Sequence, residues 1–172
     1  MFDFLKKKVP AGDVAKLMYT QCIKPYSPQF LETFTCHGVD EVLLIKELLC
    51  LKAFAYVHGV REGISDKNVA MVLVTAFHDL WKQGEMTSTF YGDYAIRFES
   101  YNSAFHGADS QERIDKLTDL FCNYLSESDD GKSSLMAPQQ EAGLRIQASL
   151  FFINCYGAFS QKALDHIRIV GN

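Results

Sequence analysis

Residues 39–58 read VDEVLLIKELLCLKAFAYVH. Apolar side chains fall on almost every side of a helix drawn through this stretch, and a helix that is apolar all round belongs inside a core. The segment therefore predicts a central, well-buried helix, with Gly59 and Gly63 placed to end it.

Outward from this centre the chain reads as more helices. The first spans residues 13–24, with Asp13 as its N-cap and Val14, Leu17, Met18 and Cys22 at helical spacing. A short second one covers residues 29–35, and Gly38 breaks the chain before the central segment. Asp66 caps the fourth, which runs to Lys82 on a stripe of Val69, Val72, Leu73, Ala76, Phe77 and Leu80, and Gly84 closes it. The fifth covers residues 87–105, before Gly107. The sixth starts at Asp109 or Ser110 and turns Ile114, Leu117, Leu120, Phe121 and Tyr124 inward. Residues 126–138, SESDDGKSSLMAP, form the one clear loop, and the seventh helix spans residues 139–159. Pro10, Pro25, Pro28 and Pro138 all fall at boundaries. A strand is foreseen only at HIRIV, residues 166–170. The pattern predicts an all-α fold: one compact domain over residues 1–172, a bundle of about six to seven helices. Residues 1–11 and 161–172 are placed at its periphery.

The composition supports this and narrows the function. A chain of 172 residues with 48% hydrophobic content can bury a full core without disulfide or metal. The formal charge of −4 argues against nucleic acid, which needs a concentrated basic face; Lys6-Lys7-Lys8 is too short to be one. Five cysteines (Cys22, Cys36, Cys50, Cys122, Cys155) form no C-x-x-C pair and sit among apolar neighbours, which reads as reduced core thiols and a cytoplasmic setting. The start, MFDFLKKKVPAGD, lacks the apolar stretch of a signal peptide, although Phe2, Phe4 and Leu5 before the lysines admit an interfacial reading. The longest uncharged run, residues 146–161, falls short of a membrane span, which takes about 20 apolar residues.

Catalytic and metal patterns are missing. There is no Glu-x-x-His, no His-Glu-x-x-His, no phosphate-binding glycine loop and no G-x-S-x-G elbow. The loop at Ser128-Asp129-Asp130-Gly131 has Ser126 and Ala137 where a calcium loop needs acidic residues. Cys36 and His37 are adjacent, and such neighbours rarely face each other on a helix. His58 reads as a local partner of Glu62, His78 as exposed, His37 and His106 as loop or cap residues, and His166 as part of the tail. No metal and no cofactor is predicted, and the balance leans away from an enzyme.

Two helices carry the functional signal. In the fifth, TSTFYGDYAIRFESYNSAF, Phe90, Tyr94, Arg97, Tyr101 and Phe105 share one stripe, widened by Tyr91 and Phe98. An arginine on an inward aromatic face must be paired or stacked, because an uncompensated buried charge costs several kcal/mol. Tyrosine rings can stack on it, and the candidate carboxylates are Glu47 first and Asp79 second. Three readings stay open: a structural Arg–Glu pair, a tyrosine-lined pocket (Tyr91, Tyr94, Arg97, Tyr101, Glu47) for an anionic ligand, or an exposed stripe at an interface. In the seventh helix, Leu144, Ala148, Phe151, Cys155 and Phe159 form one apolar stripe, with Ile146, Leu150, Ile153 and Gly157 opposite. Such a helix is either central or an outer one with an exposed stripe, and the second case points to a dimer interface. The sequence therefore predicts a non-enzymatic helical protein acting through protein–protein contact, by self-association or with a regulatory partner. The alternative is a binder of a small anion around Arg97.

Overall fold

A computed structural model describes residues 7–35, 39–106, 109–126, 138–159, 164 and 167–170. The features noted at residues 1–6, 36–38, 107, 128–137 and 166 lie outside these. The described elements are β1 (Lys7–Pro10), α1 (Ala11–Cys22), α2 (Pro28–Thr35), α3 (Glu41–Gly63), α4 (Lys67–Gln83), α5 (Tyr91–Phe105), α6 (Ser110–Ser126), α7 (Pro138–Ala158) and β2 (Ile167–Val170). The fold is a compact, almost wholly helical bundle, as predicted.

α3 is the axis of the bundle and packs against each of the other six α-helices. Leu44, Leu48, Leu51 and Ala55 are fully buried, and Phe54 meets Phe98, Tyr101, Phe105 and Phe152 at ring-centroid distances of 5.4 to 6.2 Å. Caps set several helix starts: the Asp40 carboxylate accepts from the Leu43 amide at 2.8 Å, Asp66 from Asn68 and Val69, and Asp109 from Glu112. Pro28 and Pro138 each occupy a first helical position, where a missing amide hydrogen costs nothing.

Several local expectations are corrected. α3 does not end at Gly59 but continues to Gly63. Gly59 is there because a Cβ would stand 2.6 Å from the Tyr156 carbonyl oxygen of α7. Asp13 lies in the first turn of α1 rather than at its cap, which is Pro10. Leu17 and Val72 are exposed, and the inner face of α4 is Ala70, Leu73, Val74, Phe77 and Trp81. That face is rotated toward α1, which lies along α4. Residues 88–90 form a single 3-10 turn ahead of α5. The expected C-terminal strand exists as β2, and it pairs in parallel with β1, from Lys7 opposite Ile167 to Pro10 opposite Val170.

Candidate functional site

The stripe on α5 faces inward. Tyr94 and Tyr101 are buried, while Phe90, Tyr91, Phe98 and Phe105 are partly buried against the core. Arg97 stands between them with 17% of its side chain exposed, and its Nε lies 3.0 Å from Oε1 and 3.3 Å from Oε2 of Glu47. Glu47 is fully buried on α3. Of the two candidate carboxylates it is the partner; Asp79 is exposed on α4. The ring under the guanidinium is Tyr124 of α6, with its centroid 3.5 Å from the guanidinium carbon. The sequence predicts rings of α5 itself; the ring found there comes from another helix. One charged side chain thus ties three helices together.

Burial pushes the Glu47 carboxyl above the usual carboxylate range, and the Arg97 charge and hydrogen bond offset part of that rise. The Tyr101 hydroxyl is buried and has no hydrogen-bond partner among the described residues; burial, then the charge of Glu47, holds its pKa well above 10. Tyr94 turns toward α4. Its ring stacks on Trp81 at 4.1 Å, and its hydroxyl lies 3.0 Å from Nδ1 of His78. Tyr91 packs beside it at 5.9 Å.

Two histidines differ from expectation. His78 is half-buried, because Phe77, Tyr94 and Phe98 surround its ring. His58 is buried between Phe54 and Phe105, and its Nε2 meets Oδ1 of Asn102 at 3.3 Å. Glu62 instead receives the hydroxyl of Tyr156. Burial, with Arg61 nearby, lowers the His58 pKa to about 4. His106 sits at the end of α5, where its Nδ1–H donates to the Asn102 carbonyl at 2.6 Å, as a cap.

Cys22, Cys50, Cys122 and Cys155 are free and buried, and burial pushes the Cys122 and Cys155 thiols up to about 12. No group of three or more His, Cys, Asp or Glu among the described residues could hold a metal ion. One cleft of about 440 Å³ runs between Tyr26, Leu31, Ile45 and Leu49; a second, of about 470 Å³, lies between the end of α3 and α4. None of Tyr91, Tyr94, Arg97, Tyr101 and Glu47 lines either cleft.

α7 resolves the choice its sequence posed. Leu144, Ala148, Phe151, Cys155 and Phe159 are buried against the core. On the opposite side Ile146, Leu150 and Ile153 are 60%, 53% and 48% exposed. α7 is therefore an outer helix with an exposed apolar stripe. Other large exposed apolar residues, such as Val42, Met86 and Ile96, are scattered over α3, α5 and the link between α4 and α5, and such singles are ordinary. No described helix is long and apolar enough to cross a membrane. Comparison of the chain with protein-family models, curated proteins and solved structures found no match.

Proposed function

We propose that this protein is non-enzymatic and works through protein–protein contact, pairing the outer face of α7 with the same face of a second copy. The observation that carries this reading is the exposed Ile146–Leu150–Ile153 row. With Gly157 it repeats at four, three and four, the spacing of a helix–helix seam. No charged residue occurs from 146 to 161, so Gln147, Ser149 and Asn154 beside the row set up no like-charge repulsion when two copies meet. A two-fold pairing asks one surface to complement itself, which an uncharged apolar seam can do. Four buried free thiols fit a reducing, cytoplasmic setting.

Light scattering after size exclusion tests the reading. A dimer that Leu150→Glu converts to a folded monomer supports it. A monomer at all concentrations up to the millimolar range refutes self-pairing, and capture of a different protein by this face would replace it with the regulatory-partner form.

The alternative, an anion-binding site around Arg97, has one observation in its favour: the buried Tyr101 hydroxyl, which has no hydrogen-bond partner among the described residues. Against it, Glu47 and Tyr124 already engage the guanidinium.

A further inference from the structure

The cleft of about 470 Å³ between the last turn of α3 and the Lys67–His78 part of α4 is lined by Arg61, Lys67, Ala70, Met71, Val74, Thr75 and His78. The chain as a whole carries 21 acidic residues against 17 lysines and arginines. Here the balance is inverted: among the described residues two cations and a histidine line the cleft, and no acid does. We propose that this cleft binds a small organic anion. Its phosphate or carboxylate head is held by Arg61, Lys67 and the Nε2–H of His78, and its apolar body lies on Ala70, Met71 and Val74.

The polar groups are prepared for this. Arg61 is exposed, with its guanidinium carbon 5.9 Å above the Phe98 ring, and makes no ion pair among the described residues. Lys67 donates from Nζ to the Arg61 carbonyl at 2.8 Å and is 3.5 Å from the Ile64 carbonyl. Those contacts hold its ammonium at the rim, where it offsets the negative end of α3, and an ammonium carries a third donor for a ligand. His78 is oriented from behind. The buried Tyr94 phenol, kept neutral by burial, has its hydroxyl 3.0 Å from His78 Nδ1. When the phenol donates, Nδ1 is the acceptor, and the ring proton sits on Nε2. Stacking of Tyr94 on Trp81 at 4.1 Å holds that arrangement. Thr75 adds a hydroxyl. The neighbouring acids do not fill the cleft: the Asp66 carboxylate accepts from the Asn68 and Val69 amides, and Asp79 is exposed.

Phenyl phosphate combines the head group and the apolar body, with phenol and inorganic phosphate as its two halves. Each is titrated into the whole protein at fixed ionic strength, by calorimetry and by ¹H–¹⁵N spectra. The expected result is one site per chain for phenyl phosphate, with shifts at Thr75 and the His78 ring. Phenol binds at least about tenfold more weakly, which is the worth of one charge-assisted contact. Arg61→Gln and Lys67→Gln should each weaken phenyl phosphate by about the same factor, while Lys116→Gln on α6 changes nothing. Both lining cations are exposed, so these variants should stay folded, with the loss of the Lys67 contacts to the end of α3 lowering the melting temperature by no more than about 4 °C. Inorganic phosphate binding with the same residue dependence shows that the head group alone suffices. Absence of any shift at Thr75 and His78 at millimolar phenyl phosphate overturns the proposal. So does binding that survives Arg61→Gln and Lys67→Gln, or phenol binding equally well.

Discussion

Gly59 of α3 lies so close to Tyr156 of α7 that a Cβ on the glycine would stand 2.6 Å from the tyrosine's carbonyl oxygen. One turn further on, the Tyr156 hydroxyl donates to Glu62. These contacts pin one face of α7 to the core and so decide which face is turned outward. Gly59→Ala should force the two helices apart and destabilise the protein by roughly 1–3 kcal/mol, the cost of overpacking. Gly92→Ala is the control. A Cβ there meets nothing within 4 Å, and Ala is the better helix former, so stability should rise by up to about 1 kcal/mol. Urea midpoints compare the two; a neutral Gly59→Ala would show that α7 can slide on α3 without cost.

Leu48 is fully buried on the helix that all the others touch. Leu48→Ala should cost roughly 2–5 kcal/mol, as truncation in a close-packed core does. The same measurement on exposed Val42→Ala should move the midpoint little. Equal effects at the two positions would contradict the central placement of α3.

Much of this was legible in the sequence because local chemistry forced it. An arginine in the aromatic stripe of α5 needed a carboxylate, and Glu47 stood between Leu43 and Leu51 on the most apolar helix. Asp66 read as a cap because a helical stripe began beside it. What could not be read depended on which distant element arrives at a position. Gly59 looks like a helix terminator until α7 crosses it. Leu17 and Val72 fit an apolar stripe as well as Ala70, Val74 and Trp81 do, and the packing of α1 on α4 decides between them. His58 had Glu62 one turn away, yet its partner is Asn102 on another helix. Tyr124 reaches Arg97 from α6, and β1 meets β2 across nearly the whole chain.

His58 gives the fold an acid weakness. Its pKa falls from 6.5 to about 4 on folding. Above pH 6.5 the ring is neutral in both states, and stability is complete. Between 6.5 and 4 the unfolded chain takes up a proton that the folded one refuses, so stability falls with pH. At about 1.4 kcal/mol per pH unit the loss approaches roughly 3 kcal/mol by pH 4. His58→Gln keeps a donor for Asn102 and does not titrate. The stability difference between wild type and this variant, followed by urea denaturation from pH 7 to pH 4, should narrow or reverse as pH falls. A difference independent of pH would remove His58 from the acid response.

Tyr101 separates the structural and ligand-binding readings of the α5 cluster. Its buried hydroxyl is unpaired among the described residues, and an unmade hydrogen bond in a core costs about 1–3 kcal/mol. Tyr101→Phe should therefore leave stability unchanged or raise it by about 1 kcal/mol. A clear loss of stability would mean that the hydroxyl has a partner bound in solution, which favours the ligand reading.

Arg97 and Glu47 give the sharpest test, because removing one partner differs from removing both. Arg97→Ala should destabilise the protein by roughly 3–5 kcal/mol, since it leaves a fully buried carboxylate without its counter-charge. Arg97→Met keeps most of the volume and should still be costly. Pairing it with Glu47→Leu should recover part of the loss, because no orphaned charge remains. The pH dependence supplies a second check. Burial already raises the Glu47 pKa, and the Arg97 charge opposes that rise. Without the arginine the folded-state pKa moves higher still above its unfolded value. A carboxyl raised in this way weakens folding once the pH exceeds the folded pKa, and the penalty disappears as the group takes up a proton on acidification. Relative to wild type, Arg97→Met should thus be least stable near neutral pH and should regain ground as the pH falls toward the carboxylate range. The double variant lacks the titrating group and should show no such recovery. An Arg97→Met protein as stable as wild type at pH 7, or one whose deficit does not change with pH, would show that the pair does not hold α5 to α3.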